Sequence, residues 1–179
     1  MKIQKILSEF RLYVCNHIIA HVPSHSVRLF YYRKVMHFTI GKGSTIFMNC
    51  KFDCAKGLII GKHSVINANC RLDSRGTLEI GDSVSISNDV LILTADHDIN
   101  SPDFIGRTKK VIINDYVWIG TRAMILPGTI LGTGVVVAAG SVVTKKINEY
   151  EVIAGIPAKT INKRNTNLNY TISYKRLFQ

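Results

Sequence analysis

The sequence predicts an all-β solenoid, a chain wound into stacked three-sided coils of short strands. The main observation is an unbroken six-residue apolar repeat, formed by Ile113, Ile119, Ile125, Leu131, Val137 and Val143. A period of six fits neither the 3.6 residues of a helical turn nor the two-residue alternation of one strand. It fits a short strand, a turn and another short strand, with about eighteen residues in each coil.

A second repeat, of twenty residues, occupies the first half of the chain. Its segments begin at Ile40, Ile60 and Ile80, each followed by glycine, and each carries another isoleucine six residues later. We expect the glycine to allow turn conformations that a Cβ would oppose. In the second half, small or modest residues stand four positions after each aliphatic residue and keep the narrow core from overfilling. The repeats span residues 38–158 and predict about five coils.

Length and composition indicate one globular domain. The chain has 179 residues, of which 46% are hydrophobic and 20% charged. Its four cysteines are too few for a disulfide scaffold of this size. Cys50 and Cys70 share one column of the twenty-residue repeat, which predicts stacked core thiols. No apolar run reaches the ~18–20 residues of a membrane span and none resembles a signal peptide, so we expect a cytoplasmic protein.

The positive charge is concentrated at the two ends of the chain. The net charge is +11, with +5 in residues 1–37 and +5 in residues 159–179. This bias suits an anionic membrane, a phosphate-bearing small molecule or nucleic acid, and a solubilising fringe is an equal alternative. Because no nucleic-acid-binding motif accompanies the charge, we expect no nucleic-acid partner.

Residues 1–37 are predicted to form a helical N-terminal flank, broken at Pro23. Two roles remain open for this flank. Its apolar residues would cap the open edge of the first coil, or they would lie peripherally on the inner membrane surface. We favour the cap, because the terminal repeat of a solenoid must be covered. Residues 159–179 are predicted to form a basic C-terminal tail.

The six-residue period lapses at residues 94–110. Pro102, Gly106 and the polar residues between them mark an exposed loop. A long loop that leaves a regular scaffold is where function is usually carried.

Several motifs occur in a characteristic order along the repeats: T-A-D-H-D at 94–98, Y-V-W-I-G at 116–120, I-L-P-G at 125–128, A-A-G-S-V-V-T-K at 138–145 and A-G-I-P-A-K at 154–159. In these motifs the chain resembles hexapeptide-repeat acyltransferases, in the branch of maltose, galactoside and polysaccharide O-acetyltransferases. The resemblance implies a left-handed parallel β-helix and a homotrimer with acetyl-CoA bound between neighbouring prisms. It also implies acetyl transfer to a saccharide hydroxyl, as in surface polysaccharide biosynthesis, without a metal.

The resemblance assigns site residues. It implies that His97 is the catalytic base, because His97 stands in the motif where the family has that residue. It implies acetyl-CoA contacts for Trp118, Thr121, Ala139, Thr144 and Lys145. Lys159 is a further candidate, as a positive charge that would pair with the phosphates of the coenzyme, and a solvated basic tail is an equal alternative. Asn69 matches an acceptor-site motif of the family, and Asp73 in the same coil is a second candidate for binding the acceptor, although both residue types also favour turns. The group that orients His97 stays open between a neighbouring aspartate and a backbone carbonyl.

Two other classes of function remain as alternatives. One is a non-enzymatic β-helical scaffold that organises partners through its basic ends. The other is a metal-dependent hydratase of the carbonic anhydrase type, which needs about three histidine ligands for zinc. The identity of the acceptor, and the choice between O- and N-acetylation, are open.

Overall fold

The computed structural model describes residues 2–174 of the chain. Lys175 and Arg176 of the predicted basic tail lie outside the described residues. Two α-helices come first, α1 (Lys2–His17) and α2 (His25–Lys34), with a short 3-10 helix at Ile19–His21 between them. The predicted solenoid of parallel strands follows.

Each coil places one strand on each of three flat faces. The first face holds β1 (Thr39–Ile40), β4 (Leu58–Ile60), β7 (Leu78–Ile80), β12 (Val111–Ile113) and β15 (Ile130–Leu131). The second face holds β2 (Thr45–Ile46), β5 (Val65–Ile66), β8 (Ser85–Ile86), β13 (Trp118–Ile119) and β16 (Val136–Val137). The third face holds β3 (Lys51–Phe52), β6 (Arg71–Leu72), β9 (Leu91–Ile92), β14 (Met124–Ile125) and β17 (Val142–Val143).

Five coils are complete, and a sixth begins on the first face, where Ile147 pairs in parallel with Leu131, and continues on the second face. There, β18 (Glu151–Gly155) pairs in parallel with β16, and β19 (Ala158–Lys163) folds back antiparallel on β18. One further pair of strands, β10 (Ala95–His97) and β11 (Gly106–Thr108), forms an antiparallel hairpin within the predicted loop. The prediction of about five coils is therefore confirmed.

The core consists of stacked columns of aliphatic residues. Ile40 pairs with Ile60, Ile60 with Ile80, Ile80 with Ile113, and Ile113 with Leu131. All five side chains are buried. This register joins the twenty-residue repeat to the six-residue repeat, so that both halves of the sequence build one continuous core. The small residues that follow the aliphatic positions, including Ala123 and Ser141, are buried as predicted.

The glycines that follow the first isoleucines serve a different purpose from the predicted one. A Cβ on Gly41 would lie 2.4 Å from the carbonyl oxygen of Gly61, and a Cβ on Gly61 would lie 2.7 Å from that of Gly81. Close approach of successive coils therefore requires glycine at this column. The left-handed turn conformation falls two residues later, at Gly43, His63 and Ser83.

The two predicted core thiols are buried and free. The Sγ of Cys50 donates to the carbonyl of Asn67, and the Sγ of Cys70 donates to the carbonyl of Ser87. The hydrogen bond with Cys70, and burial, raise the pKa of the Cys50 thiol. Both cysteines therefore act as small core side chains.

The N-terminal helices cover the open edge of the first coil. Asn16 of α1 donates to and accepts from the backbone of Phe52 at 2.8 and 2.9 Å, as a neighbouring strand would. From α2, the buried Arg28 donates to the carbonyl of Ile46, and Arg33 donates to that of Ile40. Each strand of the first coil thus has a partner from the flank, and the edge is protected from pairing with another chain.

No helix within residues 2–174 is long and apolar enough to cross a membrane.

Candidate active site

The site begins at the hairpin that carries His97. Where the hairpin leaves the prism, its two strands are joined by a hydrogen bond of 2.8 Å from the N–H of Lys109 to the carbonyl of Thr94. Across the two strands, the Arg107 guanidinium forms a bidentate pair with Asp96 at 2.7 and 2.9 Å. The hydrogen bond from Arg107 lowers the pKa of the Asp96 carboxyl below its ordinary value. This ion pair fixes the strands on which His97 stands.

The imidazole of His97 is oriented by Phe104. Its Nδ1 lies 2.8 Å from the carbonyl oxygen of Phe104, and the two rings stack at 4.1 Å with an angle of 8°. A carbonyl oxygen can only accept a hydrogen bond, so Nδ1 carries the proton in this contact. In the neutral imidazole the lone pair then lies on Nε2, and the residue is exposed. His97 is therefore arranged to take a proton through Nε2.

The orienting partner is thus a backbone carbonyl, one of the two alternatives that the sequence left open. Phe104 has a φ of +48°, a conformation that L-residues rarely adopt. The hairpin turn holds it there through a hydrogen bond of 3.0 Å from its N–H to the carbonyl of Ser101. Sequence reasoning missed Phe104 and Arg107, because both act through contacts that only the closed hairpin creates.

Trp118 lies on the second face, as predicted for a surface position. Its side chain is 49% exposed, and its indole N–H donates to the Oγ of Ser87 at 3.2 Å. A groove of about 440 Å³ runs over this ring, lined by Asn67, Ser85, Ser87, Trp118, Arg164, Tyr170, Ile172 and Tyr174. The groove thus combines aromatic surface with hydroxyl and amide groups.

The C-terminal segment forms one wall of this groove. Arg164 donates to the carbonyl of Tyr116 at 2.9 Å and to the hydroxyl of Tyr170 at 3.1 Å. The rings of Tyr116 and Tyr170 meet edge to face at 5.3 Å. Residues 164–174 therefore run back along the prism beside Trp118. The sequence carried no periodic signal for this contact, since it joins residues 48 positions apart.

The other residues assigned to acetyl-CoA lie on the surface at two edges of the third face. Thr121 and Ala139 are exposed at the edge between the second and third faces, in adjacent coils. Thr144 and Lys145 are exposed at the opposite edge, where the chain turns back toward the first face. Lys159 is exposed on β19.

Within one chain, the predicted site residues lie apart, at two different edges of the prism. The His97 hairpin leaves the prism after β9 on the third face and returns at β12 on the first face, which puts it at the edge of Thr144 and Lys145. Trp118 and Thr121 lie at or beside the other edge. Among the described residues, no hydrogen bond or ring contact joins His97 to Trp118.

The two acceptor candidates have different environments. Asn69 is exposed at a turn with a φ of +63°. Asp73 is fully buried, and its carboxylate accepts from the side chain and N–H of Arg75 and from the N–H of Thr94 at 2.9 to 3.0 Å. Burial acts to raise the pKa of Asp73, but these hydrogen bonds outweigh it and the pKa is lowered. Its contacts tie Asp73 to the residue where the hairpin begins and leave no exposed oxygen for an acceptor.

Comparisons with known proteins agree with this architecture. Residues 110–145 match the family model described as bacterial transferase hexapeptide (six repeats). A maltose O-acetyltransferase structure from Clostridium difficile 630 superposes with a TM-score of 0.77 at 30% identity, over 88% of this chain and 84% of that one. A hexapeptide-repeat acetyltransferase from Vibrio cholerae O1 biovar eltor, in complex with acetyl-CoA, gives a TM-score of 0.83 at 25% identity, over 90% and 88% of the two chains.

The chain belongs to the hexapeptide-repeat acyltransferase family, and its solenoid is the left-handed parallel β-helix of that family. Among curated relatives, WbbJ of Escherichia coli K12, named for lipopolysaccharide biosynthesis O-acetyl transfer, is 53% identical over 58 residues. That match spans 32% of this chain and 30% of WbbJ.

Proposed function

We propose that this protein is an acetyl-CoA-dependent O-acetyltransferase that acts on a saccharide hydroxyl in surface polysaccharide biosynthesis. The observation that carries the proposal is the oriented imidazole of His97, whose Nδ1 is committed to the Phe104 carbonyl. The acetyl-CoA complex of the Vibrio cholerae neighbour supports the cofactor, and the names of the maltose O-acetyltransferase and WbbJ support the acceptor class.

The proposed chemistry needs one base and no covalent enzyme intermediate. Nε2 of His97 accepts the proton of the acceptor hydroxyl as the hydroxyl oxygen attacks the carbonyl carbon of the thioester. The tetrahedral intermediate then collapses, the C–S bond breaks, and the CoA sulfur leaves with the proton returned by Nε2. The products are the acetyl ester and free CoA. Trp118, Thr121, Ala139, Thr144, Lys145 and Lys159 would hold acetyl-CoA, and Asn69 would contact the acceptor.

A homotrimer would bring the two groups of site residues together. His97 and Lys145 lie at one edge of the prism, whereas Trp118 and Thr121 lie at another. In a cyclic trimer, one edge of each prism faces a different edge of its neighbour, because heterologous contacts repeat around the axis. The proposed cleft therefore lies between protomers. One protomer supplies the edge with His97 and Lys145, and its neighbour supplies the edge with Trp118 and Thr121.

We expect sedimentation equilibrium at micromolar concentration to give three times the chain mass of 20.0 kDa. The physical reason is that a single prism buries only a thin core and leaves its flat faces uncovered. A monomeric mass would contradict both the trimer and the shared cleft.

The activity is tested by release of CoA thiol in the presence of acetyl-CoA and a panel of saccharides and amino sugars. The proposal expects thiol release that depends on the acceptor, with an acetyl ester as the product. An acetamide formed on amino sugars alone would overturn O-acetylation. Absence of both acetyl-CoA binding and thiol release would favour the scaffold alternative. No three His, Cys, Asp or Glu side chains of residues 2–174 form a group able to hold a metal ion within one chain. Metal analysis of protein purified without added metal tests the hydratase alternative.

A further inference from the structure

The first half of α1 projects beyond the prism that its second half covers. Residues 3–10 are exposed apart from the half-buried Ser8, and burial begins only at Arg11 and reaches completion at Cys15. Contacts with the rest of the chain are likewise made by the second half, through Arg11 to the carbonyl of Val35 and through Asn16 to Phe52. About two turns of helix therefore stand free of the fold.

The projecting segment carries an apolar stripe, which we call the outer stripe. It consists of residues at helical spacing whose side chains are 55 to 73% exposed: Ile3, Ile6, Leu7, Phe10 and Tyr13. Residues three, four, seven and ten positions apart lie on one face of a helix. A free helical segment of this length is marginal in water, and a large exposed apolar patch is a mark of a binding surface. The outer stripe is thus a surface without a partner among residues 2–174 of the same chain.

The charge of the N-terminal flank as a whole, +5 over residues 1–37, favours an anionic partner for the outer stripe that it carries. Exposed charged side chains of the described N-terminal flank are Lys5, Arg33 and Lys34 on the positive side and Glu9 on the negative side. An apolar helix face with neighbouring cations is the pattern of segments that lie in a membrane interface, where apolar burial adds to attraction by acidic lipids. A second copy of the same helix is a less suitable partner, because it would bring the same excess of positive charge and the two copies would repel each other.

We propose that the outer stripe of α1 docks the protein on an anionic phospholipid surface. The cap and the membrane contact then belong to opposite faces of one helix, since Cys15 and Asn16 cover the first coil while Phe10 and its neighbours face outward. Where the proposed trimer forms, its three stripes stand at the same end of the assembly and would meet a flat surface together, which multiplies a weak contact. The docking itself does not depend on the proposed acetyl transfer.

The test is co-sedimentation of the full chain at low salt with vesicles of phosphatidylglycerol and phosphatidylcholine in equal parts, compared with vesicles of phosphatidylcholine alone. We expect the protein to bind the mixed vesicles and to be released as salt screens the charges. Ile6→Ser with Phe10→Ser is expected to lower partitioning by at least about tenfold. Lys5→Glu is expected to lower it about tenfold as well, because it changes the local charge by two.

Matched controls make comparable substitutions elsewhere on the surface. Ile99→Ser with Ile161→Ser removes two isoleucines that are 84 and 65% exposed, and Lys62→Glu reverses an exposed charge at a turn. Both controls should keep the binding of the parent chain. Failure of the parent chain to sediment with mixed vesicles overturns the proposal, as does equal binding to phosphatidylcholine alone. A change of oligomeric mass in the stripe variant would show that a second copy covers the stripe, and would overturn it too.

Discussion

Replacing His97 by alanine is expected to lower the turnover of acetyl transfer by roughly 10²–10⁴-fold, the usual contribution of a positioned general base. The loss follows because no other group would accept the hydroxyl proton at the position of Nε2. The KM for acetyl-CoA and the oligomeric mass should change little, since His97 stands on a hairpin outside the stacked core. Steady-state kinetics with a saturating acceptor and sedimentation equilibrium measure the two quantities.

Two companion variants sharpen this experiment. Phe104→Ala keeps the carbonyl that accepts from Nδ1 but removes the stacked ring, so a loss of about tenfold in kcat is expected from less exact placement of the imidazole. His17→Ala removes an exposed histidine from the last turn of α1 and should leave turnover unchanged. Turnover of the His97 variant close to that of the parent chain would show that another group is the base.

Replacing Asp73 by alanine is expected to destabilise the fold by about 2–4 kcal/mol at neutral pH. The substitution removes the acceptor for the buried N–H of Thr94 and for the N–H of Arg75, and each unsatisfied buried donor costs about 1–3 kcal/mol. The Arg75 side chain is half exposed and returns to water at little cost. Chemical denaturation followed by circular dichroism measures the free energy of unfolding.

The matched control is Asp53→Ala, in the coil before. Asp53 stands twenty residues earlier in the same repeat column and pairs with the exposed Arg71. The Asp53 side chain is only 17% exposed, but its partner Arg71 is 58% exposed and can return to water, so this variant should lose less stability. If the Asp73 variant is as stable as the parent chain and shows only a raised KM for the saccharide, Asp73 binds the acceptor instead.

The contribution of Asp73 also depends on pH. The lowered pKa in the folded chain means that the unfolded chain binds the proton more readily, so folding favours the ionised carboxylate. The stabilisation is present above the ordinary carboxyl pKa of 3.8 and is lost as the pH falls through the lowered folded value. The difference in unfolding free energy between the parent chain and the Asp73 variant should therefore shrink below pH 3.8.

The sequence alone determined the solenoid, because every coil repeats the same local rule. Ile113, Ile119 and Ile125 mark three successive inward positions, and each inward residue stacks on its equivalent in the next coil. Short-range periodicity of this kind needs no knowledge of distant contacts. The ordered motifs likewise pointed to His97 and Trp118, whose positions on a hairpin and on an open face agree with the expectation.

Only the tertiary structure decided which partner each of these residues meets. The carbonyl of Phe104 reaches His97 because the hairpin closes, and Arg164 reaches Tyr116 because the chain folds back along the prism. The sequence offered Asp73 as a candidate for binding the acceptor or as a turn residue, yet its place beneath the hairpin buries it. The glycines after Ile40, Ile60 and Ile80 were expected to allow turn conformations. In the structure they are required because neighbouring coils approach too closely for a Cβ. These outcomes depend on contacts between residues far apart in the chain, which no local pattern encodes.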